Sequence, residues 1–162
     1  MPTPKPSGPN VERFDSWPLY KEEFGLVVSR RHPLAGFGSL PICDLAGHRL
    51  IARGHCENGP EIAEKLAEKA VAAHSAGDVA SDQDMIALID ANLAIGILPQ
   101  TVRVGDGLAK LALSDLAVTR TVTLYTVSGR ARAPAATGLI RLLRAYDYAS
   151  PIERDQGALA SA

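Results

Sequence analysis

The residues with the most concentrated chemistry lie in one loop, which runs from Arg53 to Asn58 and reads RGHCEN. An apolar, strand-like segment precedes this loop, and Pro60, a residue typical of a first helical turn, follows it. Open α/β sheets bind ligands between a strand end and the next helix, where free amides favour an anion. Arg53 would add a bidentate contact to a carboxylate, and His55, Cys56 and Asn58 complete the candidate set. The alternative is a capping loop with exposed polar side chains.

Cys56 raises a second possibility, which is thiol redox chemistry. A helix N-terminus with Arg53 and His55 beside it favours the reactive thiolate, whereas the neighbouring Glu57 disfavours it. The other cysteine, Cys43, lies upstream across a predicted strand. Two cysteines are too few for a disulfide framework, and they lack the CxxC spacing of zinc sites. The thiol is therefore either a redox site or a buried, inert side chain.

A second polar loop, residues 80–83, also stands between a predicted strand and a predicted helix. Ser81 can cap that helix, and Asp84 occupies the position from which a capping-box side chain reaches back. Ser81 and Asp82 are candidates for ligand contact, although capping alone would explain the serine. Pro99 ends an apolar run near a further strand end, and either ligand contact or hinge geometry would account for it.

Other kinds of chemistry have little support in the sequence. The run HCE at 55–57 is not a catalytic triad, because triad members converge from separate segments while chain neighbours point in different directions. His32, His48 and His74 lack the spacing of metal ligands, and no glycine-rich phosphate loop is present. We therefore expect no catalytic residue, no metal and no cofactor.

The elements that would position these loops alternate between strands and helices. Strands are predicted at 19–29, 49–53, 78–80, 93–98, 108–113 and 118–127. Helices are predicted at 60–74, 81–92 and 134–148, with a short helical turn at 44–48. Residues 1–18 are predicted to be a Pro-rich, extended lead, and residues 149–162 a small, polar tail. The alternation up to residue 98 favours a parallel sheet with helices on its faces.

Composition and charge argue against several classes of function. The 162 residues include 17 Lys+Arg and 18 Asp+Glu, and the sequence pI is about 6.4, which disfavours a phosphate-binding basic face. The first residues lack the apolar core of a signal peptide, and no run reaches the roughly 18 apolar residues of a membrane span. We expect a cytoplasmic domain with reduced thiols and no contact with membranes.

A series of short motifs resembles the effector-binding domain of LysR-type transcriptional regulators, in order and in spacing. The motifs are HPLA at 32–35, DL at 44–45, LI at 50–51, AIGILP at 94–99 and GRARAPAA at 129–136. The resemblance covers residues 17–146 and implies an α/β fold of the periplasmic-binding-protein type II kind, with two Rossmann-like subdomains around a cleft. It implies that residues 19–105 form the second subdomain and that residues 106–148 return to the first.

The same resemblance implies a function. It implies a non-enzymatic, homodimeric domain that binds a small, anionic metabolite in the cleft and reaches DNA only through a winged helix. That winged helix and the opening of the first subdomain would precede Met1, so we expect a sensing part without its DNA-binding end.

Two alternatives remain. The segment GHC at 54–56 resembles the reactive-cysteine segment of the OxyR-like peroxide sensors in this family, which keeps Cys56 open as a redox site. Those sensors carry a resolving cysteine downstream, whereas Cys43 lies upstream. An alternative of another class is a free-standing solute binder or an enzyme of related fold.

Overall fold

A long strand, β1 (Phe14–Ser29), organises the fold. The structure is a computed structural model that describes residues 13–52, 56–72, 79 and 81–148. β1 begins five residues before the strand predicted from residue 19. The proline content of this segment misled the prediction. Pro18 is accommodated because the strand pairing shifts register between Pro18 and Tyr20, and prolines are tolerated at such irregular positions.

Five more strands and three α-helices follow β1 in the described ranges. The strands are β2 (Ser39–Leu40), β3 (Leu50–Ile51), β4 (Ile95–Pro99), β5 (Leu108–Leu113) and β6 (Thr119–Val127). The helices are α1 (Gly59–Glu68), α2 (Asp82–Asp90) and α3 (Pro134–Ala145). Two short 3-10 helices are Pro33–Gly36 and Ile42–Leu45. Within these ranges no helix combines the length and apolarity that crossing a bilayer requires.

β1 pairs with different strands along its two halves. Its second half lies antiparallel to β4 and β5, while β3 pairs parallel with β4 and β2 parallel with β5. These strands form the larger sheet, in the order β2-β5-β1-β4-β3. The first half of β1 pairs antiparallel with β6 and forms a two-stranded ribbon. The predicted parallel pairing therefore holds for β2 with β5 and for β3 with β4. The central strand, β1, is antiparallel to both of its neighbours in this sheet.

Two buried clusters lie on opposite faces of the larger sheet, because alternate residues of a strand point to opposite sides. The cluster under α1 includes Phe24, Leu26, Val28, Ile62 and Leu66. The cluster under α2 includes Val27, Ile51, Leu98, Met85 and Ile89. Val79, the described residue of the strand predicted at 78–80, is buried in the second cluster but belongs to no strand.

The glycine of the AIGILP motif permits close packing of α2 on β4. A methyl group on Gly96 would lie 2.3 Å from Met85 Cε and 2.9 Å from Ile89 Cδ1, both nearer than normal van der Waals contact. A side chain at this position would therefore push the ends of Met85 and Ile89 away from the strand.

The HPLA motif forms the turn after β1. His32 Nδ1 accepts a hydrogen bond from the Leu34 backbone N–H at 3.2 Å, so its side chain caps the first 3-10 helix. Pro33 follows at the first helical position, where no amide donor is needed. The His32 ring lies edge-on to His48, with 4.9 Å between ring centroids. Both histidines lie at bends of the chain.

α1 is shorter than predicted and ends at Glu68 instead of residue 74. Ala70 adopts left-handed backbone with φ 57°, and the Val71 N–H donates to the Leu66 carbonyl at 2.9 Å. This is the hydrogen-bond pattern that closes helices. The apolar spacing continues beyond that point, so the spacing alone could not locate the end.

α3 packs on the ribbon through aromatic and cationic side chains. The guanidinium of Arg144 lies 5.2 Å from the centroid of the Trp17 ring. Just after the helix, Tyr148 stacks on Tyr20, with 4.8 Å between ring centroids. α3 therefore packs on the ribbon of β1 and β6, beside the larger sheet.

Candidate functional site

An apolar pocket opens beside the ends of β3 and β4. It contains about 470 Å³ of empty space, counted out to the solvent at its mouth. Its walls include Phe24 of β1, Ile51 of β3, Ile97 and Pro99 of β4, and Ile62 and Ala63 of α1. The pocket thus occupies the edge of the sheet at which open α/β folds bind ligands.

A buried carboxylate lies next to the pocket on the same face of β1. The Glu22 side chain has 0% exposure, and Glu22 precedes the pocket residue Phe24 by two positions. Its Oε2 accepts a 3.1 Å hydrogen bond from the Thr101 backbone N–H and another from the Thr101 hydroxyl. Its Oε1 accepts a 2.6 Å hydrogen bond from Arg120 Nε. These three bonds satisfy a charge that would otherwise be costly to bury.

Arg120 joins this carboxylate to the loop before α1. Its Nη1 donates to Glu57 Oε1 at 3.0 Å, and its guanidinium carbon lies 5.9 Å from the centroid of the Phe24 ring. Burial by itself would lower the pKa of Arg120, but hydrogen bonds and charge from Glu22 and then Glu57 outweigh burial and raise it. Arg120 is therefore a permanent cation beside the apolar pocket. We call Glu22, Thr101, Arg120 and Glu57 the polar cluster.

The backbone positions each member of the polar cluster. Glu22 and Arg120 are opposite each other in the pairing of β1 with β6. Thr101 follows Pro99 in a turn in which the Val102 N–H donates to the Pro99 carbonyl at 3.1 Å. The cluster therefore lies where the chain leaves the larger sheet and the ribbon begins.

Sequence reasoning did not find the polar cluster, although one signal for it exists. Glu22 continues the alternating face of Phe24, Leu26 and Val28, so a carboxylate stands in line with core residues. A charge on a core face needs a partner. The partner, Arg120, is 98 positions away, and no local pattern identifies it.

Three predicted site residues lie close to this pocket. Cys56 lines it and packs against the cluster under α1, and Pro99 lines it at the end of β4. Asn58 precedes α1, and its Nδ2 donates to Glu61 Oε2 at 3.2 Å. The Asn58 Oδ1 atom is buried and accepts no hydrogen bond in the part of the chain that the structure describes. Redox activity of Cys56 stays a prediction.

Two predicted site residues lie at the start of α2 instead. The Ser81 hydroxyl accepts from the Asp84 N–H at 3.1 Å and donates to Asp84 Oδ2 at 2.7 Å, which confirms its capping role. Asp82 is the first residue of the helix. α2 covers the other face of the sheet, and neither Ser81 nor Asp82 is among the described residues that line the pocket. The remaining candidates, Arg53 and His55, lie outside the described residues.

The sequence matches the family described as LysR substrate binding domain over residues 5–147. The chain belongs to this family. No match is found among curated proteins. The described residues of this LysR substrate-binding domain contain no group of three or more His, Cys, Asp or Glu side chains that could hold a metal ion.

Solved structures of low sequence identity share the fold. The effector-binding domain of QuiR in complex with shikimate has a TM-score of 0.64 and 22% identity, and the match covers 85% of this chain and 66% of that one. The regulatory domain of CcmR from Synechocystis PCC6803 in complex with 2-PG has a TM-score of 0.66, 19% identity and coverages of 86% and 70%. A cysteine mutant of OxyR from Corynebacterium glutamicum has a TM-score of 0.60, 21% identity and coverages of 91% and 46%.

This substrate-binding domain therefore spans about two thirds of the first two chains and less than half of the OxyR chain. The likeness establishes an α/β fold like that of periplasmic binding proteins of type II.

Proposed function

We propose that this effector-binding domain senses a small, anionic metabolite that binds in the apolar pocket beside the polar cluster. The observation that carries the proposal is the position of Arg120, a permanent cation packed on Phe24 at the pocket wall. The apolar lining favours a ligand with an apolar part, and Arg120, although already paired with Glu22 and Glu57, is the cation that an anionic group of this ligand would approach.

The contacts proposed for the effector extend the predicted set. Cys56 and Pro99 would touch it directly, since both line the pocket. The buried Oδ1 of Asn58 would accept a hydrogen bond from a donor on the ligand. Arg53 and His55, in the loop before Cys56, remain proposed contacts on the strength of their position in the sequence. For Ser81 and Asp82 we retain the proposal of a second contact region at the start of α2.

We propose that the two subdomains divide later than residue 105. The supporting observation is that β5 pairs with the second half of β1 in the larger sheet. β6 and α3 would then be the part that returns to the first subdomain, because they pack on the first half of β1. The polar cluster would stand at the division, where an effector could alter the relation of the two parts.

In the whole regulator we propose a cytoplasmic, non-enzymatic homodimer that contacts DNA through a winged helix. Its relatives are regulatory domains, which supports this assignment over an enzyme. Measurable turnover of a bound ligand would contradict it.

The proposal is tested by thermal unfolding of the chain in the presence of acids, amines, sugars and neutral aromatics. A ligand present at 100 times its Kd should stabilise the fold by about 2.7 kcal/mol, which is about 5–11 °C for a domain of this size. Ala63→Leu places bulk in the pocket and should abolish the shift. Ala67→Leu, one turn further along the exposed face of α1, is the matched control and should retain it. Absence of any shift across the set would refute the proposed function.

A further inference from the structure

We infer that the outward face of α3 is an interface at which two copies of this chain associate. The homodimer proposed above for the whole regulator has no assigned surface, and this face is a surface of a different part of the chain. None of the residues that line the pocket belongs to α3, so the association is independent of effector binding.

The ribbon and α3 have no buried core of their own. Among the described residues, every buried hydrophobic side chain lies between Phe24 and Val118, and none belongs to β6, α3 or the first half of β1. The larger sheet, in contrast, has a buried cluster on each face. A two-stranded ribbon is marginally stable by itself, and helices and sheets are stabilised by covering their apolar faces. A further layer of packing would therefore stabilise the ribbon and α3.

α3 carries apolar side chains on two opposite faces. Ile140 is half-buried on the face toward the ribbon, where Arg144 lies over Trp17. The opposite face carries residues spaced four, three and four positions apart, which aligns them along the helix. These residues, which we call the α3 stripe, are Ala135, Leu139, Leu142 and Tyr146.

The large side chains of the α3 stripe are among the most exposed hydrophobic groups of the described chain. Leu139 and Tyr146 are each 57% exposed, and Leu142 is 70% exposed. Exposed apolar side chains that lie singly are common on protein surfaces, whereas a contiguous set marks a surface that another molecule covers. The α3 stripe is such a set.

The α3 stripe carries no charge, which favours a second copy of the chain over a charged partner. Arg141 and Arg144 are the charged residues of α3, and at about 100° per residue both lie well away from the stripe around the helix. When two copies associate around a twofold axis, each surface meets itself, so any charge on the surface would meet an equal charge. An uncharged stripe avoids this repulsion.

Gly138 allows a second helix to approach closely. It lies beside the stripe, and a methyl group placed on it would meet no described atom within 4 Å. The side chains at a helix contact determine the distance between the helix axes, and a glycine shortens it.

The exposed area indicates how strong the association should be. Leu139, Leu142 and Tyr146 together expose roughly 400 Å² per copy, so pairing would bury about 800 Å² in total, below the roughly 1,200 Å² of a stable interface. We therefore expect a weak, reversible dimer.

Sedimentation velocity of the full chain tests this association. Between about 10 µM and about 500 µM, the weight-average sedimentation coefficient should rise, as for a dimer with a Kd of at most about 1 mM. Leu139→Glu should weaken the association at least about tenfold, because pairing would bury a carboxylate without a partner.

Leu93→Glu is the matched control. Leu93 is 56% exposed, close to the value for Leu139, but it lies in the turn before β4. This variant should associate as the wild type does. Gly138→Glu repeats the test without removing a side chain, and since glutamate favours helix more than glycine does, it does not weaken the folding of α3.

A constant sedimentation coefficient up to about 500 µM would overturn the inference and would leave the stripe to a partner of another kind. Association that persists in both Leu139→Glu and Gly138→Glu would also overturn it, as would equal weakening by Leu93→Glu. The shift in Tm caused by an effector is a separate measurement, so failure of the proposed function and failure of this interface are distinguishable.

Discussion

The salt bridge between Glu22 and Arg120 is expected to be the most sensitive ionic contact in the domain. In Arg120→Ala the carboxylate of Glu22 would keep its two bonds from Thr101 but lose its only described cation. Breaking a buried ion pair costs roughly 3–5 kcal/mol. Because the Arg120 side chain retains 23% exposure, we expect the lower end of that range, about 3 kcal/mol. For a chain of this size that corresponds to a fall in Tm of about 6–12 °C.

Urea denaturation followed by circular dichroism measures this loss, and a double variant identifies its cause. Glu22→Gln combined with Arg120→Ala removes the unpaired charge while the amide oxygen still accepts from Thr101. The double variant should therefore recover about half of the free energy of unfolding lost in Arg120→Ala. A loss below about 1 kcal/mol in Arg120→Ala would mean that solvent screens the pair as it screens surface pairs. A double variant as unstable as the single one would instead assign the loss to packing on Phe24.

Three further predictions concern stability. Ser81→Ala should cost about 1 kcal/mol in urea denaturation, while Ser81→Asp, which can still cap α2, should cost less; equal losses would exclude capping. Burial and then the charge of His48 lower the pKa of His32 below its ordinary 6.5. The folded state therefore favours neutral His32. The free energy of unfolding should fall as the pH drops from about 6.5 to the lower pKa of the folded state. His32→Asn keeps the cap and should flatten this dependence of the free energy of unfolding on pH. An unchanged slope would mean that another group causes the dependence. Gly96→Ala should cost about 1–3 kcal/mol through contact with Met85, and Met85→Val should restore part of it if crowding is the cause.

The elements that local rules determine were predicted well. β5 has the bounds read from the sequence, and α2 begins after Ser81 as its capping pattern requires. Asn92, two positions after α2 ends, has the left-handed backbone that asparagine tolerates, with φ 56°. In each case the signal lies within a few residues of the element it defines.

The features that depend on distant pairing were not predicted. The start of β1 was missed because Phe14–Pro18 becomes a strand by pairing with β6, more than a hundred positions later. The antiparallel course of β1 through the larger sheet was missed because strand–helix alternation alone favours parallel neighbours. The polar cluster was missed for the same reason, since Glu22, Thr101 and Arg120 come from three separate segments.

The continuous course of β1 has a mechanical consequence. Its 16 residues extend about 50 Å through both the ribbon and the larger sheet, and no loop interrupts them. A change in the angle between the two parts must therefore be taken up as torsion and bending within the strand itself. The pocket residue Phe24 and the polar-cluster residue Glu22 lie near the middle of the strand. How readily the strand twists and bends therefore sets how much of a displacement near Phe24 and Glu22 reaches the far end of the ribbon.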